Sequence, residues 1–235
     1  MMTNPGLTSF DPAVATLAAR VRSVQESSRE RVIIGITGSP AAGKSTLAEQ
    51  LVAELGADAV WVPMDGFHLA NSTLDALGRR HRKGAPDTFD APGYVNALKR
   101  IRADGDLPIY LPCFHREIEE SFAGEIAVTA QHRVVVTEGN YLLLDIEPWS
   151  RIAGLCDEVW FCEVDAAERE RRLIERHHGH GRSLADAQEW AQRVDGPNAD
   201  LVQATRAHAQ VIITATGSGW EAHRDEPGSQ DRPAG

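Results

Sequence analysis

One eight-residue segment, Gly38–Ser45, constrains the fold of this chain more than any other feature, because it matches the pattern G-x-x-x-x-G-K-[ST] in full. The apolar run Val32–Ile36 precedes it and is typical of a strand buried on both faces of a parallel sheet. A helix is predicted to follow, over about 44–55. Glycines let backbone N–H groups converge on phosphate oxygens, and the helix N-terminus adds the positive end of its dipole. The sequence therefore predicts a phosphate-binding loop between a buried strand and a helix.

Two side chains of this loop have predicted roles of their own. Lys44 is expected to reach the β and γ phosphates of ATP, and the Ser45 hydroxyl is expected to be a ligand of Mg²⁺. Nucleotide contacts are expected from the whole segment and the residue after it: Gly38, Ser39, Pro40, Ala41, Ala42, Gly43, Lys44, Ser45 and Thr46.

The rest of the chain repeats the alternation of strand and helix. Apolar runs predict four further strands, at about 59–64, 133–137, 158–162 and 211–213. Helical spacing places helices at about 11–24, 94–102, 166–176 and 183–194. This alternation predicts an α/β fold in three layers, with a parallel sheet covered by helices on both faces.

The domain organisation follows from the same pattern. Residues 1–215 are predicted to form a single domain, because there is neither an internal repeat nor a second core. Residues 71–90 are polar and irregular, which predicts a long functional loop. Residues 216–235 are rich in Gly, Pro, Ser and charged residues, and are predicted to be a disordered tail.

Charge and composition exclude several classes of partner. The chain has 34 Asp and Glu against 24 Lys and Arg, a net charge of −10, which opposes nucleic-acid binding. No apolar run reaches the roughly 18 residues that a membrane span needs. A signal peptide begins with basic residues, and this chain has none before Arg20, so no signal peptide is predicted. Cys113, Cys156 and Cys162 lack metal or redox spacing and fit a reducing compartment. A cytoplasmic protein is expected, and the sequence leaves open whether it forms a homodimer.

Three downstream motifs add a more specific signal: Met64-Asp65-Gly66-Phe67-His68, Pro86-Asp87-Thr88-Phe89-Asp90 and Thr137-Glu138-Gly139-Asn140-Tyr141. With the loop, they resemble the P-loop kinase superfamily of uridine kinase, pantothenate kinase and phosphoribulokinase, over about 30–214. The chain is most similar to a branch called nucleoside/nucleotide kinase-like or fructose-transport-system kinase. The resemblance implies a three-layer P-loop NTPase fold with a helical lid. It also implies a phosphotransferase that moves the ATP γ-phosphoryl group to a hydroxyl of a small metabolite.

The resemblance also implies roles for two acidic residues. Asp65 ends the second strand, where ligands bind in open parallel sheets, and it matches the residue that accepts or orients the proton of the attacking hydroxyl. Glu138 ends the 133–137 strand, where an acid would hold Mg²⁺. The alternatives are a loop N-cap for Asp65 and a surface strand terminus for Glu138.

Candidates for the acceptor side come from two further segments. Asp87 matches the aspartate that binds substrate hydroxyls in the uridine-kinase pattern, although it could equally belong to a helix cap. Within Pro112–Arg116, His115 or Arg116 could contact the acceptor. The expected acceptors are nucleosides, sugars or pantothenate-like compounds.

A lid is expected over about 168–195, because Arg169, Arg172 and Arg176 share one helix face. The resemblance implies that Arg172 and Arg176 close over the ATP phosphates, whereas the role of Arg169 is left open. The alternative is a solvated helix with ion pairs. His177, His178 and His180 are interpreted as a lid tip rather than a metal site.

Two alternatives remain open on sequence grounds. The basic run 79–83 could attract an anionic acceptor, or it could be a solvated loop face. For the whole chain, the alternative to a small-molecule kinase is a regulatory ATP-binding NTPase acting on a protein partner. The Asn-Lys-x-Asp motif of GTPases and the Ser-Gly-Gly signature of ABC-type ATPases do not occur in the sequence.

Overall fold

The computed structural model describes residues 11–103, 105–216 and 219–223. Its main sheet has six strands in the order β2-β5-β1-β6-β7-β8, and β3 and β4 pair separately as an antiparallel hairpin. The strands are β1 Val32–Thr37, β2 Ala59–Pro63, β3 Ile109–His115, β4 Glu120–Val128, β5 Val134–Glu138, β6 Glu158–Glu163, β7 Val211–Thr216 and β8 Gly219–His223.

Helices cover both faces of the main sheet, which confirms the three-layer α/β prediction. Seven α-helices lie in the described part of the chain: α1 Pro12–Ser27, α2 Lys44–Leu55, α3 Asn71–Ala76, α4 Ala91–Arg102, α5 Ala166–Gly179, α6 Leu184–Trp190 and α7 Gly196–Gln203. Alternate β1 residues separate the layers, because Ile34 packs with α1 and α2 while Ile33 packs with α4 and α7. Every residue of β1 is buried, as its unbroken apolar run predicted. No helix among the described residues is long and apolar enough to cross a membrane.

The topology brings three functional segments to one edge. β1 lies between β5 and β6, and β5 also pairs with β2, all in parallel. The carboxyl ends of β1, β2 and β5 therefore meet at the same edge of the sheet, where ligands bind in this class of fold. The loop 38–43 follows β1, a short 3₁₀ helix, Met64–Phe67, follows β2, and Glu138 closes β5.

The C-terminal prediction is wrong for part of its range. Gly219–His223 form β8, which pairs antiparallel with β7, so the sheet is mixed rather than wholly parallel. The Trp220 indole Nε1 donates a hydrogen bond to Gln50 Oε1 at 2.8 Å, which anchors the strand on α2. In the sequence, the neighbours of Trp220 are Gly, Ser and charged residues, a composition typical of a disordered segment. The strand was therefore not predicted, because it depends on tertiary contacts. The remainder of the predicted tail, 217–218 and 224–235, lies outside the described residues.

Three segments differ from their predicted structure. The β3–β4 hairpin was not predicted at all, and the polar stretch 71–90 contains α3 and two 3₁₀ turns, Arg80–Arg82 and Pro86–Thr88. The helix predicted over 183–194 is α6 followed by a π-helical turn, Ala191–Asp195, which leads directly into α7. In each case, pairing or packing over long sequence separations overrides a weak local signal.

Candidate active site

A cavity of about 680 Å³ opens at the carboxyl edge of the sheet, and six segments contribute to its wall. They are the phosphate-binding loop, the end of β2, the stretch 71–90, the hairpin, the end of β5 and the region from α5 to α7. Residues from each include Lys44, Ser45, Asp65, His68, Phe114, Arg116, Glu138, Asn140, Arg172, Arg176 and Trp190. This is the size of site that takes a small-molecule ligand.

The two motif glycines of the loop are required by close contacts. Gly38 has φ 147°, and a Cβ there would lie 2.1 Å from the backbone oxygen of Cys162. Gly43 has φ 94°, and a Cβ there would lie 2.7 Å from the Trp220 ring. Both conformations are accessible mainly to glycine. The loop is therefore held as an open backbone cradle at the N-terminus of α2.

Lys44 is buried at the centre of this cradle. Its Nζ donates a hydrogen bond to the backbone oxygen of Ser39 at 2.9 Å. Burial lowers the pKa of Lys44, and the nearby charges of Glu138 and Asp65 oppose that shift. The ammonium group thus lies between the loop and the two acidic residues.

Ser45 and Glu138 form a pair that fits a magnesium ion. The Ser45 hydroxyl donates to Glu138 Oε1 at 3.2 Å. Burial, with the charge of Asp65 adding to it, raises the pKa of Glu138 to about 7. A buried carboxylate with so raised a pKa is electrostatically suited to a cation, and hydroxyl and carboxylate oxygens are the ligands that Mg²⁺ prefers.

Asp65 lies beside this pair, directly after β2. Burial acts to raise the pKa of Asp65, but the interaction with His68 and the charges of Arg116 and Lys44 outweigh it, so that the pKa lies below its usual value. Arg116 Nη2 donates to Asp65 Oδ2 at 3.0 Å. Asp65 is therefore an ionised, partly exposed carboxylate at the wall of the cavity.

The predicted lid arginines lie on α5 and contribute to the same wall. Arg172 Nε donates to Glu168 Oε1 at 2.7 Å, which is the type of ion pair that the alternative interpretation proposed. Burial lowers the pKa of Arg176, and the charge of Arg116 adds to that shift. Arg169 is not among the described residues that line the cavity.

Asp87 is not brought to the cavity with Asp65 and Arg116. Its carboxylate binds both guanidinium nitrogens of Arg82 and lies 3.4 Å from Arg79 Nε. The basic run is therefore divided, because Arg80, His81 and Lys83 line the cavity while Arg79 and Arg82 hold Asp87. A contact between Asp87 and the acceptor stays a prediction.

The three lid histidines bind protein groups. His177 Nε2 lies 2.7 Å from Asp195 Oδ2. The rings of His178 and His180 lie within hydrogen-bond distance of backbone oxygens, those of Arg182 and Arg176 respectively.

Two aromatic wall residues, His68 and Trp190, had no role predicted from the sequence, whereas Phe114 belongs to the segment Pro112–Arg116 that was predicted to lie on the acceptor side. The rings of His68 and Phe114 lie 4.5 Å apart, and Lys83 Nζ lies 5.1 Å from the centre of the Phe114 ring. The Arg182 guanidinium lies 4.0 Å from the Trp190 ring. A signal was available only for His68 and Phe114, because both stand inside sequence motifs.

The raised pKa of Glu138 predicts a pH-dependent stability in the metal-free protein. The folded pKa of about 7 exceeds the ordinary 4.5, so the folded state holds a proton that the unfolded state has lost in this window. Stability from this group is therefore lost as pH rises from 4.5 to about 7. Glutamine does not titrate, so Glu138→Gln should not lose this stability. As pH rises across the window, the free energy of unfolding of Glu138→Gln should therefore increase relative to that of wild type by up to about 3 kcal/mol. Denaturant unfolding in a chelator at several pH values measures this.

The exposed Glu54 on α2 provides a matched control. The stability of Glu54→Gln should differ from that of wild type by an amount that is nearly constant over the same pH range. A constant difference for Glu138→Gln would contradict the raised pKa.

The chain is similar to known proteins and to a solved structure, some of which are named as kinases. It is 35% identical over 197 residues to the protein YggC of Escherichia coli, with 81% of each chain covered. It is 33% identical to "Putative uridine kinase C227.14" of Schizosaccharomyces pombe, with 71% of this chain and 74% of that one covered. The crystal structure of a "putative fructose transport system kinase" from Silicibacter sp. TM1040 matches with TM-score 0.77 and 34% identity, over 85% of this chain and 98% of that one. No family model matches the chain.

These matches extend over most of both chains. They confirm the resemblance that the four motifs predicted. The chain belongs to the P-loop kinases that act on small molecules.

Proposed function

We propose that this protein transfers the γ-phosphoryl group of ATP to a hydroxyl of a small metabolite, with Asp65 as the base. One observation carries the proposal: an ionised carboxylate, a buried lysine and a buried acid–hydroxyl pair share one cavity beside a phosphate-binding loop. General-base chemistry, phosphate binding and metal binding therefore have separate residues within one site.

In this proposal, the part of the cavity that binds the nucleotide is formed by the phosphate-binding loop and the end of β5. The backbone of residues 38–46 and the Lys44 ammonium would hold the phosphates, and Ser45 and Glu138 would hold Mg²⁺. The bound metal supplies charge neutralisation at the transferring group. Lys44 would exchange its hydrogen bond to the Ser39 oxygen for one to a phosphate oxygen.

In this proposal, the part of the cavity that binds the acceptor is the region around Asp65. An ionised Asp65 can accept the hydroxyl proton while the oxygen attacks phosphorus, and its hydrogen bond from Arg116 fixes the carboxylate's orientation. Arg80, Lys83 and Arg116 all line the cavity, which favours a carboxylate or phosphate elsewhere on the acceptor. Nucleosides, sugars and pantothenate-like compounds are the classes proposed, and an apolar alcohol is excluded because it would leave these charges unpaired.

The cationic residues of α5 complete the proposed site. Arg172 and Arg176 project from one helix face into the wall, where they can neutralise charge that develops during transfer. Arg172 would then leave Glu168, and such a change of partner is the kind of local motion expected of a lid.

An acceptor panel tests the proposal. ADP release is measured with MgATP alone and then with nucleosides, pantothenate, sugars and their anionic derivatives, and products are identified by mass. At least one acceptor should raise ADP release well above the baseline and yield a phosphorylated product. ATP hydrolysis that no acceptor changes, and that Asp65→Asn leaves intact, would contradict the proposal and favour the regulatory NTPase.

A further inference from the structure

The β3–β4 hairpin carries a cluster of metal-ligating side chains outside the phosphate-binding machinery. The ligand atoms of Cys113, His115 and Glu125 all lie within 4.8 Å of one another. His115 Nε2 is 2.6 Å from Glu125 Oε2, so two of the three groups are already in contact. The cysteine and the histidine are half-buried, and the glutamate is exposed.

The geometry of the hairpin explains why these three groups converge. Cys113 and His115 are two residues apart on one strand, so their side chains lie on the same face. The strand register shifts between Leu111 and Cys113, which pair with Ile126 and Phe122. Glu125 lies in the resulting bulge, and bulges re-aim side chains.

The turn of the bulged strand depends on its glycine. Gly124, next to Glu125, has φ 82°, a left-handed conformation that favours glycine. Nothing lies within 4 Å of the position that a Cβ would take there. Backbone conformation, rather than crowding, is therefore what this glycine provides, and it directs the following strand so that Glu125 returns over His115.

We propose that Cys113, His115 and Glu125 bind one thiophilic divalent cation of the zinc class. One sulfur, one nitrogen and one oxygen ligand suit a tetrahedral ion that keeps a water molecule in its fourth position. Thiolate and imidazole select such an ion over Mg²⁺, which prefers oxygen ligands. Binding replaces the thiol proton of Cys113, which passes to solvent, while His115 binds as neutral imidazole.

The position of the cluster gives the ion a structural consequence. Phe114 stands between the two β3 ligands and lines the cavity on the other face, where it packs against His68. Arg116 follows directly and binds Asp65. An ion at the cluster would tie β3 to β4 at the residues flanking Phe114 and Arg116, and so restrict the wall of the proposed acceptor site.

Cobalt(II) is the probe for this site, because its thiolate complexes have a charge-transfer band and its tetrahedral complexes have visible d–d bands. The full-length protein is stripped with a chelator, kept reduced by a phosphine, and titrated without nucleotide. One equivalent of Co²⁺ should produce both sets of bands, and one equivalent of Zn²⁺ should abolish them. Absence of the thiolate band in the wild-type protein would overturn the proposal.

Variants assign the ligands. Cys113→Ser should lose the thiolate band, whereas His115→Ala and Glu125→Gln should each weaken Co²⁺ binding by at least about 10-fold, because even the loss of a group that only supports a ligand costs that much. Cys156→Ser is the matched control, because Cys156 is also a half-buried free cysteine but is not part of the cluster. It should keep the wild-type spectrum.

The assignment would be overturned by a thiolate band that persists in Cys113→Ser or by one that disappears in Cys156→Ser. Unchanged affinity in both His115→Ala and Glu125→Gln would do the same. Glu125 is exposed, so Glu125→Gln is expected to fold and keeps the test decisive if Cys113→Ser does not.

Discussion

Lys44→Ala is expected to lower the rate of phosphoryl transfer by about 10³-fold, the upper end of what loss of one preorganised electrostatic partner costs. The buried ammonium is the loop's only cationic side chain. Burial leaves it poorly solvated before a phosphate arrives, and this is why the pKa of Lys44 is lowered. Alanine removes this charge without adding volume to the cradle. ADP release with the acceptor found in the panel measures the effect.

Lys99→Ala is the control for this substitution, because Lys99 is exposed in the last turn of α4. It should retain the wild-type rate. Thermal unfolding of both variants separates loss of chemistry from loss of fold, since Lys44 also donates a hydrogen bond to Ser39. A folded Lys44→Ala protein with full activity would remove the P-loop from the mechanism.

Asp65→Asn is expected to lower phosphoryl transfer by about 10²- to 10⁴-fold while leaving ATP affinity close to that of wild type. The amide keeps the shape of the side chain but cannot take up the hydroxyl proton. It also loses the charge that pairs with Arg116 at 3.0 Å. Single-turnover transfer and a separate titration with a non-hydrolysable ATP analogue measure the two quantities.

The exposed Asp106 supplies the matched control, and Asp106→Asn should behave as wild type in both measurements. Parallel losses of ATP affinity and rate in Asp65→Asn would instead make Asp65 part of the metal or nucleotide site. A rate that is unchanged would exclude Asp65 as the base.

The features that could be predicted from the sequence are those that depend on patterns of neighbouring residues. Unbroken apolar runs located the five parallel strands, because both faces of such strands are buried. Residues at the ends of parallel strands meet at one edge, so the amino-acid sequence alone is enough to place Asp65 and Glu138 near Lys44. The wall of the cavity contains all three residues.

What could not be predicted depends on partners distant in the chain. Hairpin β3–β4 carries Pro112 and several charges, so only its strand pairing distinguishes it from a loop. The ion pairs that hold Asp87 away from the cavity depend on how α3 and the two 3₁₀ turns fold back. The strand β8 contains little but Trp220 to bury, and its partner Gln50 is 170 residues away.

That last contact bears on the order in which the protein becomes functional during synthesis. The Trp220 ring lies against Gly43, and β8 is joined to the sheet through β7, which in turn pairs with β6. Domains fold largely as units while the chain emerges from the ribosome, amino-terminal parts first. Here the phosphate cradle, translated early, acquires its last supporting ring only when nearly the whole described chain has been made. We therefore expect the nucleotide pocket of a nascent chain to be finished only when the strand that carries Trp220 has been made.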